Sequence, residues 1–167
     1  MNWGYWRDYM SIRSTVKAII IKDSKMLVNR CQDEKFGDYF SLPGGGQYQY
    51  ETLQEAVIRE CLEETGYSVS PVRFAALCET IFTDEGFRKE HPGHTHRIYH
   101  VFICELLDDR QIIPTEKDSM QVGSEWVDIN SINTYNGIRL FPMAVGDNIH
   151  DILKGIAPIF LGSNYKD

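Results

Sequence analysis

The sequence predicts a mixed α/β protein, one β-sheet covered by helices. Segments rich in β-branched and aromatic residues stand on both sides of a single well-marked helix. That order fits an α/β or α+β sandwich better than an all-helical or all-strand scheme. The chain has 167 residues, 43% hydrophobic and 25% charged. This is the size and composition of one globular domain, large enough to need no disulfide or metal staple. No repeat, low-complexity tract or linker divides it, so residues 1–167 are expected to form a single domain with an aromatic N-terminal extension at 1–13.

Val16 to Ile21 is rich in β-branched residues, and Lys25 to Asn29 follows a polar turn at Lys22–Ser24. The pair reads as a hairpin. Leu42 to Gly46, LPGGG, is a loop that exposes its backbone. Thr52 to Thr65 reads as a helix in which Thr52 caps the N-terminus, Glu55 completes a capping box and Gly66 ends it. Val72 to Phe82 and Arg97 to Leu107 are apolar enough for strands, and Ser124 to Ile129 for a shorter one. Pro142 to Leu153 reads as one closing helix with Pro142 in its first turn.

The net charge is −7, which argues against nucleic acid as partner, because binders of a phosphate backbone carry a basic stripe. No apolar run reaches the ~18 residues of a membrane span, and the N-terminus lacks a signal-peptide core. The four cysteines show no CxxC spacing, so free thiols in a reducing, cytoplasmic compartment are expected.

The helix carries the chemistry. At 100° per residue, Glu60, Glu63 and Glu64 share an arc of about 100°. Leu53, Ala56 and Val57 lie on that side, while Ile58, Cys61 and Leu62 face away, which suggests a helix packed on two sides. Like charges at i,i+3 and i,i+4 cost about 0.2–0.5 kcal/mol per pair, and desolvation raises that cost. A divalent cation removes the conflict, and an oxygen-only set suits Mg2+ or Mn2+ better than Zn2+. A solvated acidic helix end is the alternative on spacing alone. The preceding run Gly44–Gly46 favours the site, because glycine lets a ligand approach the backbone.

Gly45, Glu51, Arg59, Glu60, Glu63, Glu64 and Gly66 fall on the fixed positions of the Nudix box, which spans 23 residues from Gly45 to Tyr67. The sequence therefore resembles the Nudix hydrolases. Cys61 and Tyr67 stand where the box has aliphatic residues; a small buried thiol and a covering ring serve the same packing. Leu42-Pro43 and Glu125-Trp126 also look like the family. The resemblance implies a Nudix-type α/β/α sandwich with a mixed sheet. It also implies hydrolysis of the diphosphate bond in a nucleoside diphosphate linked to another group, with nucleoside triphosphates and nucleotide sugars the open classes; ADP-ribose is weakened, because members specific for it often carry a proline on the loop well after the box, where Ile81 to Gly86 has none. Glu60, Glu63 and Glu64 are then metal ligands, joined by a carbonyl at Gly44 or Gly45. Arg59, partnered by Glu51, orients the glutamates, Glu60 or Glu63 helps position the attacking water, and Glu116 or Asp118 is the candidate for a further acid outside the box. A non-catalytic Nudix-like domain that senses a nucleotide or mediates an interaction is the rival; the complete set of box acids argues against it.

Other residues are candidates for substrate contact. His91, His94, His96 and His100 cluster in HPGHTHRIYH. Zinc is one reading, but a loop entering a strand accounts for them more simply. His94, His96 or Arg97 could meet a substrate phosphate, and so could Arg30, which reads equally as a solvated strand-end arginine. Phe40 and Tyr48, beside the glycine loop, could stack on a base, with ordinary packing the plainer alternative. Trp3, Tyr5, Trp6 and Tyr9 could also stack on a base, but read more simply as packing on the core or on a homodimer partner.

Overall fold

The computed structural model describes residues 12–34 and 37–166. Eight strands and four α-helices follow one another along the chain: β1 Arg13–Lys22, β2 Lys25–Asp33, β3 Gly37–Ser41, α1 Leu53–Thr65, β4 Tyr67–Phe82, α2 Glu85–Glu90, β5 His96–Gln111, β6 Gln121–Asp128, β7 Leu140–Phe141, α3 Met143–Asp147, α4 Ile149–Lys154 and β8 Ile159–Lys166. The sheet order is β7-β3-β2-β1-β5-β4-β8, with β6 on the other edge of β2. The sheet is mixed: β1 runs parallel to β5 and β4 to β8, whereas β4 and β5 are antiparallel.

The expected hairpin forms around Asp23 and Ser24, both at positive φ (50° and 61°), as a two-residue primed turn requires. Only Ile21↔Met26 and Lys22↔Lys25 pair across it. Beyond them the strands part. β2 turns to β3 and β6, β1 turns to β5, and the LPGGG loop enters the gap. There Val16 N–H donates to Gly45 O and Ala18 N–H to Pro43 O, at 2.9 and 2.8 Å.

The pleat of β1 divides the interior. Val16, Ala18 and Ile20 pack with Ala56, Val57 and Cys61 of α1 on one face, and Ile19 packs with Val145, Ile149 and Ile152 of α3 and α4 on the other. Helices cover both faces, as the α/β/α expectation has it. α1 begins and ends as read, with the Thr52–Glu55 capping box formed and Gly66 left-handed; such a cap is worth about 1 kcal/mol.

Three expectations need correction. α1 packs on one side, not two: Cys61 is wholly buried with Ala56 and Val57, and Ile58 is exposed, because a single sheet face receives the helix. The closing helix is two short helices parted at Asn148, whose backbone (φ −115°) leaves the helical region and whose side chain donates to Ala144 O. Pro142 precedes the first of them as its N-cap. Strands β3, β7 and β8 and helix α2 were not anticipated. The aromatic residues Trp3, Tyr5, Trp6 and Tyr9 lie outside the described residues.

Candidate active site

The glycine loop and α1 meet where β1 and β2 diverge. Arg59 is the hub. Its Nε and Nη2 donate to the two oxygens of Glu51 at 2.7 and 2.9 Å. Nη1 donates to Glu60 Oε1 at 2.8 Å and to Glu63 Oε2 at 2.9 Å, and Nη2 also reaches Gly46 O. The Tyr48 ring lies under the guanidinium, 3.9 Å from its carbon to the ring centroid. One cation therefore holds three carboxylates and the loop, in the planar, forked geometry that only arginine offers. The same bonds hold Glu51 below the usual carboxylate range.

Glu64 sits deeper. Its Oε2 accepts from Gly44 N–H and from Asn29 Nδ2, both at 2.8 Å. Asn29 Oδ1 accepts in turn from Gln121 Nε2 and Ser124 Oγ. Burial pushes the Glu64 carboxyl up to about 6, against the pull of Lys17, Gly44 and Asn29. Burial also raises Glu60, opposed by Arg59. Gly44, at φ +129°, has no room for a side-chain carbon against the Val16 carbonyl.

Lys17 lies under the loop, 7% exposed. Its ammonium donates to Leu42 O at 2.8 Å, to Ser41 Oγ at 3.3 Å and to Gly44 O. With Gly45 O taken by Val16 and Gly46 O by Arg59, each carbonyl of the glycine run has a donor. Asn29, Lys17, Gln121 and Ser124 escaped the sequence reading. A lysine breaking the apolar run at 16–21 was the one signal available.

The donor set fits a divalent cation. It is all oxygen, its buried acids resist ionisation unless a positive charge offsets them, and both hydrogen bonds of Glu64 fall on Oε2, leaving Oε1 for another partner. Among the described residues no three His, Cys, Asp or Glu side chains converge as a ready metal cage; Glu60 and Glu63 are drawn to Arg59 instead.

The remaining candidates separate. Glu116 and Asp118 are exposed, on a loop fastened to α1 by Thr115 N–H and Glu116 N–H donating to Glu63 O. Asp118 acts electrostatically on His94. Arg30 pairs with Asp38 at 3.3 Å on an exposed surface. Phe40 is corrected: it is wholly buried, against Tyr135 and the core, so no base can stack on it. His96 lies on the opposite face of β5 from Arg97 and bonds Glu79 at 3.1 Å. His100 meets Thr15 O, so the histidines of the cluster have separate partners. Tyr67 packs edge-on against Trp126, 5.9 Å between centroids, covering the surface expected of it.

A cavity of about 500 Å3 opens beside Arg97, lined by Tyr39, Phe82, Phe87, Arg139 and Phe141 among others. That volume suits a small organic ligand. Phe82 and Phe87 stack at 4.4 Å in its wall.

The model of the NUDIX domain family matches residues 12–143. An ADP-ribose pyrophosphatase of Methanocaldococcus jannaschii is 43% identical over 61 residues, 36% of this chain and 36% of that protein. YjhB of Bacillus subtilis is 27% identical over 107 residues, 64% of this chain and 47% of that one. The chain thus spans about half or less of the length of these relatives. Among solved structures, a NUDIX hydrolase from Nitrosomonas europaea superposes with a TM-score of 0.69 at 23% identity, covering 87% of this chain and 90% of that one. At that identity the likeness shows the fold. No helix among the described residues is long and apolar enough to cross a membrane.

Proposed function

The chain belongs to the NUDIX domain family, and on that premise we propose that it hydrolyses the diphosphate bond of a nucleoside diphosphate linked to another group, with Mg2+ or Mn2+ as cofactor. The observation that carries this reading is the single guanidinium of Arg59 bound at once to Glu51, Glu60 and Glu63, over a glycine loop whose Gly44 N–H fixes a buried Glu64. A site built only to present negative charge would not spend its arginine inside the cluster.

Glu60, Glu63 and Glu64 would hold the cation with a carbonyl of Gly44 or Gly45. When bound, the cation neutralises the diphosphate oxygens and lowers the pKa of a water for in-line attack. The chain's own residues do the rest. Arg59 aligns Glu60 and Glu63, Asn29 and Gly44 fix the tilt of Glu64, and Lys17 pins the loop from below. Glu60 or Glu63 helps orient the water. The base comes from the loop fastened to Glu63 O, with Glu116 and Asp118 as its acids. Arg97, and Arg30 once released from Asp38, are cations for substrate phosphate. Tyr48 acts through Arg59. The aromatic cavity beside Arg97 takes the group beyond the diphosphate. A relative named as an ADP-ribose pyrophosphatase, in Methanocaldococcus jannaschii, is the reason to test ADP-ribose beside nucleoside triphosphates and nucleotide sugars.

The test is chromatography of the nucleotide products formed from these three classes and from dinucleoside polyphosphates, with Mg2+, with Mn2+ and with EDTA. Turnover of at least one, abolished by EDTA and restored by metal, is expected. Full activity in EDTA, or no turnover of any, would overturn the reading.

A further inference from the structure

β1 and β5 run parallel with Arg13 opposite Arg97. Like charges directly opposite each other on neighbouring strands destabilise a sheet. Among the described residues neither arginine has a carboxylate within ion-pair distance; the ion pairs recruit Arg30, Arg59 and Arg139 instead. Both arginines converge on His94. Arg13 Nη1 lies 3.2 Å from its Nε2 and 3.3 Å from its Nδ1, and Arg97 Nε donates to its carbonyl at 3.1 Å. A guanidinium against the ring disfavours its protonated form, in keeping with a histidine whose pKa is lowered by burial and then by the two guanidiniums. In a chain of net charge −7, this is a local excess of positive charge.

The next pair in register on the same face of the pleat is Thr15↔Tyr99. Both are buried, and the hydroxyls of both lack a hydrogen-bond partner. Arg97 and Thr80 stand within hydrogen-bonding reach of the Tyr99 hydroxyl, but their alignment is too poor for a well-formed bond. Buried hydroxyls without partners are rare in folded proteins and call for a ligand or a water. The Arg13 guanidinium also lies against Gly46: a side-chain carbon there would fall 2.6 Å from Nη2. The cationic pair therefore borders the glycine loop on one side and, through Arg97, the aromatic cavity on the other.

We propose that Arg13, Arg97 and His94, with the Thr15 and Tyr99 hydroxyls below them, form a binding site for a phosphate group of the substrate, between the carboxylate cluster and the aromatic cavity. The assignment rests on the diphosphate hydrolase reading for its ligand and adds Arg13, which that reading does not use. The two guanidiniums supply the forked donors that phosphate oxygens favour, and the bound dianion removes their mutual repulsion.

The probe is methylene-bridged adenosine diphosphate, which cannot be cleaved at that bridge, titrated calorimetrically in EDTA against the whole chain. Inorganic phosphate is run as a second arm. Wild type is expected to bind the nucleotide, and Arg13→Gln to bind it about 10–100-fold more weakly, the range for losing a charged hydrogen bond. Arg13→Lys should fall between. Removing one of two opposed charges should leave the unliganded melting temperature unchanged or raised.

Equal nucleotide binding by wild type and Arg13→Gln, or no binding by wild type, overturns the proposal. Weakening confined to inorganic phosphate overturns the assignment to substrate. A lowered melting temperature that accompanies the binding loss assigns Arg13 a structural role and overturns it as well. Because the titration involves no turnover, it fails separately from the hydrolase reading: a chain that cleaves diphosphates but binds equally with Arg13→Gln keeps the activity and loses this site.

Discussion

Gly45 and Glu60 are in direct contact. A side-chain carbon on Gly45 would fall 2.5 Å from Glu60 Oε2 and 2.7 Å from Oε1, so no side chain fits between the loop backbone and the carboxylate. Gly45→Ala should displace the Glu60 carboxylate, the mobile end of a long side chain, and leave the fold intact. The Mg2+ concentration for half-maximal rate should rise about 10–100-fold, as when the support of a metal ligand is lost. A Mg2+ titration checks it; an unshifted midpoint would show that Glu60 does not hold the cation.

Arg59→Lys keeps the charge and loses the fork. The five hydrogen bonds now made by three nitrogens, four to carboxylates and one to Gly46 O, cannot be remade by one ammonium. The Mg2+ midpoint should rise and the rate recover in part at high Mg2+. If Arg59 instead bound substrate, KM would rise with the midpoint unmoved, so titrating Mg2+ at saturating substrate separates the two.

Glu64→Gln should lower kcat at least about 10^2-fold with the fold retained, as for loss of a strong electrostatic contributor. Its stability should depend on pH in a definite sense. The folded state raises this carboxyl from 4.5 to about 6, so it binds the proton more tightly than the unfolded chain does. That contribution is complete below about pH 4.5 and is lost as pH rises through about 6. Metal-free Glu64→Gln, which does not ionise, should therefore exceed wild type by about 1–2 kcal/mol at pH 8, and the gap should close near pH 4. Urea melts in EDTA at both pH values measure it.

Lys17→Met removes the donor beneath Leu42 O and Gly44 O. Buried carbonyls left without a partner cost about 1–3 kcal/mol. The variant should melt at lower urea and lose activity even at saturating Mg2+, because the loop is no longer pinned. Unchanged stability would mean that water replaces the ammonium.

The helix and its caps were legible because their signals are local: Thr52, Glu55 and Gly66 act within one turn of themselves, and the acids repeat with the helical period. Arg59 and Glu51 were legible as a pair from their box positions. Asn29 was not, because its meaning depends on β2 lying against α1, a contact between residues 35 apart in sequence. The same holds for Arg13 and His94, separated by 81. Phe40 misled because proximity to the glycine loop in sequence says nothing about which side of β3 it faces.

The glycine loop acts as a stand-in strand, occupying the groove from which β2 has departed. Its carbonyls at Pro43 and Gly45 shield the amide protons of Val16 and Ala18, which are otherwise interior positions of β1. These two protons consequently act as a clock for the site. Were the loop to lift on its own, they would trade for deuterium ahead of their β1 neighbours, and their exchange rate would read out the frequency of that opening.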